Sequence, residues 1–184
     1  MQSVGFKEWA LVCEALGAGK QSVLLRKGGI AEGREGFGFR HSEFFLFPTF
    51  FHEQVVEVRM PGAAIPASRE GKIEVRYFAK VESQREITSW SVTAALAPFH
   101  ILQESVVRER FDYGKAGLHV ALVRVFRLTP GWIFPDAPAF GGCRSWVKLR
   151  EIPAETRLQP VLTDEKHAAV AGAFRAVLTH ETAV

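Results

Sequence analysis

A chain of 184 residues, 47% hydrophobic and 23% charged, can bury roughly 70% of the surface its unfolded form exposes, which excludes disordered, collagen-like and staple-dependent classes. A net charge of +3 is too small for the whole surface to sheathe nucleic acid, and the longest strongly apolar stretch, Phe44 to Phe51, is broken by Pro48 and falls short of the ~20 residues of a membrane span. The two cysteines, Cys13 and Cys143, are far apart and the first residues lack the basic start and apolar run of a secretory signal, so a reduced, cytoplasmic protein with both thiols free is expected.

From Phe6 to Leu16, the apolar Trp9, Val12, Cys13 and Leu16 recur at helical spacing before Gly17 and Gly19, which predicts an amphipathic helix. Ser22 to Arg26 reads as a buried strand entering a tight turn at Gly28-Gly29. Phe44 to Phe47 reads as a strand ending at Pro48, with Thr49 capping a helix that runs to about Arg59. Met60 to Lys72 is a loop by its prolines and glycines, and Ile73 to Val81 alternates as a strand with one wet face. Helices are expected over Gln84–Leu96 and Gln103–Phe111, separated at Pro98.

Leu118 to Leu128 is a β-branched and aliphatic run suited to a central strand, ended by Pro130. The segment from Thr129 to Gly142 reads as a loop, yet Trp132, Ile133, Phe134 and Phe140 are too apolar to leave in water and must pack on the body. A strand over Cys143–Leu149 follows, and then a last helix over about 163–180, capped by Thr163, with Val170, Phe174, Val177 and Leu178 on one face. Without repeats, heptads or strict βαβ alternation, this order predicts one α+β domain over residues 1–184: a mixed, mostly antiparallel sheet or small barrel flanked by helices.

Charge is unevenly distributed. Residues 116 to 150 carry five bases against the single acid Asp136, whereas residues 151 to 184 carry three bases and five acids. A basic face would lie in the segment ending at Arg150.

Two words combine bases with paired glycines. Leu24-Leu25-Arg26-Lys27-Gly28-Gly29-Ile30 would feed cations and backbone N–H groups to an anion, or it is a tight turn needing positive φ with solvated bases. Gly141-Gly142-Cys143-Arg144-Ser145-Trp146 is the second. The expectation is one shared anion site from Arg26, Lys27, Gly28, Gly29, Arg40, Arg144 and Lys148, binding the phosphates of RNA, DNA or a nucleotide. Seven phenylalanines lie between Phe37 and Phe51, with Arg40, His41 and His52 beside them; they suit either a core or a platform on which unpaired bases stack.

A rival reading is an enzyme acting on a nucleotide or small acidic substrate, with His52 as base and Cys143 as nucleophile. A third is a structural or interaction protein whose aromatics are all core. No Walker A loop, dinucleotide fingerprint, CxxC, HxH or HExxH spacing is present, and the one E-x-K, Glu70-Gly71-Lys72, falls in a loop; no metal or cofactor is expected.

Lys7-Glu8-Trp9, the Leu24 to Ile30 word, Phe45-Leu46-Phe47-Pro48-Thr49 with His52, and Gly141 to Trp146 together resemble the bacterial family catalogued as domain of unknown function 1802, over about residues 6–150. The resemblance implies a bacterial cytoplasmic protein and carries no catalytic residue with it. A second likeness, to the PUA-like superfamily that includes ASCH domains, rests on Gly19-Lys20 before a strand ending in Arg26. It implies a small helix-decorated barrel that binds RNA or modified bases, and the sequence departs from it with Leu24 where an acid would stand.

Overall fold

Four helices and seven strands appear in a computed structural model that describes residues 3–27, 37–68 and 70–179. The strands are β1 (Val4–Trp9), β2 (Val23–Arg26), β3 (Glu43–Thr49), β4 (Lys72–Ile87), β5 (Leu118–Pro135), β6 (Trp146–Lys148) and β7 (Arg157–Pro160). The helices are α1 (Ala10–Gly17), α2 (Trp90–Ala95), α3 (Glu104–Asp112) and α4 (Asp164–Thr179). The sheet runs β2-β5-β4-β3-β1-β6 with β7 beside β5, and it stays open rather than closing into a barrel. Every pair is antiparallel except β1 with β3. The architecture is the expected α+β, mostly antiparallel.

Several local expectations give way to long-range pairing. The helix expected from Phe6 begins only at Ala10, because Gly5 to Trp9 pair with β3 on one side and Val4 to Phe6 with β6 on the other. Pro48 does not end its strand: β4 pairs β3 only through Phe45, so beyond that point β3 has a free edge where a missing N–H is tolerated. Thr49 does not cap a helix, since its hydroxyl donates to the Glu8 carbonyl at 3.1 Å, and a single 3-10 turn, His52–Val55, follows. That turn supplies the fully buried Gln54, whose Oε1 accepts the Leu11 N–H at 3.2 Å and whose amide donates to the Thr49 carbonyl at 2.8 Å. Gln54 thus satisfies an orphan donor in the first turn of α1, where Trp9 offers no side-chain cap.

The long hairpin of β4 and β5 overrides two more expectations. Residues 83–87 pair with 118–122, so the helix expected from Gln84 starts only at Trp90, behind the Ser89 cap. β5 continues through Pro130 to Pro135, placing Trp132 and Phe134 on a strand instead of in a loop, while β7 takes up the opposite edge at Phe126–Thr129. The strand expected from Cys143 shortens to Trp146–Lys148. α4 is capped as expected, with Thr163 Oγ1 accepting the Lys166 N–H at 3.3 Å.

The sheet is buried on both faces. On β3, Phe44 and Leu46 enter one cluster with the helices, while Phe45 and Phe47 enter a second with Phe78, Trp132 and Phe134. A register shift between Val75 and Tyr77 reverses the alternation of β4, so that Ile73 and Val75 face the second cluster and Tyr77 and Ala79 the first. Gly17 ends α1 against Tyr77, whose ring would lie 2.0 Å from any Cβ there; only glycine fits that approach.

Candidate functional site

Where β1, β2 and β3 end, the fold opens a cleft lined by aromatic, basic and acidic side chains. It has a volume of about 370 Å³ and is lined by Trp9, Lys27, Phe51, Glu57, Arg110 and Tyr113 among others. Trp9 ends β1 and Phe51 follows β3, the parallel neighbour of β1. Their rings meet edge to face at 5.1 Å and 81°. Tyr113, just past α3, is 53% exposed.

Arg110 is the pivot. From α3 its guanidinium lies 4.6 Å from the Trp9 ring centre, and Nη1 donates to the Leu25 carbonyl at 3.0 Å. Burial holds its pKa below the usual arginine value, opposed by Glu8, with the Arg26 guanidinium adding to the lowering. A guanidinium carries five donors, and one hydrogen bond is all that the described residues give this one. Glu8, 2% exposed, spends one oxygen on the Trp9 N–H at 2.8 Å and balances part of the local positive charge.

Lys27 is arranged differently from a free phosphate ligand. Its ammonium donates to the carbonyls of Phe111, Lys115 and Gly117, at 3.5 Å for the first and 2.8 Å for the last. Three donors meet three acceptors, so Lys27 supplies charge to the cleft and holds the α3–β5 loop. Arg26 turns to the other side: Nη2 donates to Ser145 Oγ at 3.1 Å and the guanidinium lies 5.4 Å from the Phe6 ring centre.

Arg26 therefore meets the second glycine word. Lys7, buried at 7% exposure, donates to the carbonyls of Gly141 and Gly142 at 3.1 and 3.0 Å. Burial lowers its pKa, Cys143 and Asp136 oppose the change, and Arg144 and Arg26 add to it. The fold brings Arg26, Lys7, Arg144 and Ser145 into one neighbourhood, with Lys27 turned toward the aromatic cleft. Arg40, Arg144 and Lys148 are exposed. Gly28 and Gly29 lie outside the described residues.

His52 and Cys143 are both exposed, and no hydrogen bond joins them. Cys13 is buried, and both cysteines are free. Of the aromatic run, Phe37, Phe39, Phe44, Phe45 and Phe47 are core residues, whereas Phe50 is 39% exposed and Phe51 half-buried. Among the described residues no group of three or more His, Cys, Asp or Glu is placed to hold a metal ion, and no helix is long and apolar enough to cross a membrane.

Sequence reasoning did not single out Arg110, Glu57 or Tyr113, because each reads as the wet face of a short helix or turn. Trp9 carried a signal in the Lys7-Glu8-Trp9 word, but helical spacing assigned it to a core face.

No curated protein matches the chain. Among solved structures, ASCH from Zymomonas mobilis is similar at 14% identity, over 92% of this chain and 93% of that one, with a TM-score of 0.44. A serine-to-alanine mutant of that protein gives 14% identity, 92% and 94% coverage and a TM-score of 0.45. A tyrosine-to-phenylalanine mutant gives 14%, 94% and 98%, and 0.44. The family described as Domain of unknown function (DUF1802) matches residues 5–173, nearly the whole chain, and the protein belongs to that family.

Proposed function

We propose that the protein binds a nucleotide unit, free or within a single strand, in the cleft of Trp9, Phe51, Tyr113, Lys27 and Arg110. The observation that carries this reading is the Arg110 guanidinium, stacked on Trp9 and left with unused donors in an aromatic-walled cleft. Aromatic faces accept the planar base of a nucleotide, and a desolvated guanidinium recognises phosphate oxygens in a planar, two-pronged way. Lys27 strengthens the positive potential there without giving up its carbonyl partners. Arg26 and Arg144, next to Ser145 and Gly142, extend the basic track along which a strand would leave the cleft.

The test is a fluorescence-anisotropy titration of single-stranded RNA and DNA at several salt concentrations. Affinity should fall steeply with salt, and Arg110→Gln should flatten the slope by about one unit, because one phosphate fewer is neutralised on binding. Lys27→Ala should weaken binding by releasing the α3–β5 loop, and should also lower stability. Absence of binding at low salt, or an unchanged slope for Arg110→Gln in a folded variant, would remove the nucleic-acid reading and leave a small-molecule or purely structural role.

A further inference from the structure

Carboxylates line the same cleft, and phosphate binding gives them nothing to do. Glu57 and Glu109 both border it, and neither side chain has a hydrogen-bond or ion-pair partner among the described residues. Glu57 is the better placed. It is half-buried, its backbone N–H donates to the Gln54 carbonyl at 3.2 Å, and its own carbonyl accepts the Gln103 N–H at 2.9 Å. Glu109 stands exposed on α3. Arg110 also feels Glu57 more strongly than Glu109, which places the Glu57 carboxylate in the cleft's charge balance.

An ionised carboxylate only accepts hydrogen bonds. Beside a stacked base it must meet N–H donors, and the bases differ in how many they present side by side. Guanine offers N1–H and the 2-amino group in parallel, matched to the two oxygens of one carboxylate. Adenine and cytosine place an amino group next to a ring nitrogen acceptor, which would repel the second oxygen, and uracil places its single N–H between two carbonyls. A site built to satisfy hydrogen bonds rejects the ligand that leaves them unmade.

We infer that the cleft selects guanine, with the Glu57 carboxylate accepting from its N1–H and 2-amino groups while the ring stacks on the Trp9 and Phe51 side. This rests on the nucleotide-binding reading above. Phosphate oxygens offer the Glu57 carboxylate no hydrogen-bond donor, whereas guanine offers two.

The experiment uses short uridine oligonucleotides carrying one central guanine, inosine, adenine or cytosine, titrated by anisotropy against the intact chain and Glu57→Gln. The guanine oligonucleotide should bind at least about tenfold more tightly than the adenine one. Inosine, lacking the 2-amino group, should fall between them. Glu57→Gln should bring the four within about twofold of one another, weakening the guanine oligonucleotide and strengthening the adenine one, because a neutral amide both donates and accepts. Binding with no preference for guanine in the intact chain overturns the inference and leaves the nucleotide reading in place. No binding of any of the four overturns the inference together with the single-strand form of the nucleotide reading. Because the base panel is measured on the unmodified chain, the inference is tested even if Glu57→Gln does not fold.

Discussion

Two aromatic regions sit within a few residues of each other along β3 and behave in opposite ways. Phe45 is sealed against Phe78 and Trp132 at ring separations of 5.1 and 5.2 Å, and Phe47 packs on Phe140 at 5.3 Å. Phe51, just beyond the strand, meets the Trp9 ring edge to face and opens on a cleft that also holds Arg110. The residue type is the same. What differs is whether a second sheet edge and a covering segment close over the ring: β4 pairs β3 through Phe45, and Trp132, Phe134 and Phe140 roof that face, whereas past Thr49 the chain leaves the sheet. Aromatic surface marks a binding site only where the fold leaves it uncovered and places unspent donors beside it.

That contrast can be broken most directly from the sealed side. Phe45→Ala and Phe47→Ala should each lower stability by about 3 to 5 kcal/mol in urea melts, since both rings are buried at 0% and 4% exposure. Little change in either variant would mean that the second cluster repacks easily and that the two regions are not distinct.

The positive charge of the open side reaches into the core, and acid makes this measurable. His100 is buried, its Nδ1 accepting the Leu102 N–H at 3.1 Å, and burial together with the Arg59 and Arg110 guanidiniums lowers its pKa from 6.5 to about 4. Between those values the unfolded chain holds a proton that the folded chain does not, so stability falls as pH falls through that window, by up to about 3 kcal/mol. His100→Asn keeps an acceptor near the Nδ1 position and removes the titration. Urea midpoints near neutral pH and near the folded-state pKa should show the variant less acid-sensitive than the parent; equal sensitivity would remove His100 as the cause.

The smallest stability effect belongs to the open side. Phe51→Ala should cost about 1 kcal/mol of stability and yet weaken oligonucleotide binding by about tenfold, because a stacked base gains roughly 1 to 3 kcal/mol from its aromatic partner. A large drop in stability with unchanged binding would make Phe51 another core residue and erase the distinction between the two regions.

Sequence alone determined what short-range chemistry controls. The buried β2 run, the Thr163 cap of α4, the helix at α3, the alternation of early β4 and the α+β class were legible because propensity, capping and periodicity act within a few residues. The two glycine words were visible as well, and so was the excess of bases before Arg150. Tertiary structure decided the rest. β1 reads as helix until β3 and β6 pair with it, Pro48 and Pro130 read as stops until an edge tolerates them, and Gln84 to Ile87 read as helix until β5 claims them. Lys27 and Arg26, adjacent in sequence, were separated onto two neighbourhoods by the three carbonyls that hold the one and the Ser145 hydroxyl that holds the other. Arg110 and Glu57 came to line one cleft only when α3 and the turn after β3 met at Trp9. The physical reason is common to all of them: backbone pairing across a sheet and the meeting of distant side chains outweigh local preferences of a few tenths to about one kcal/mol per residue.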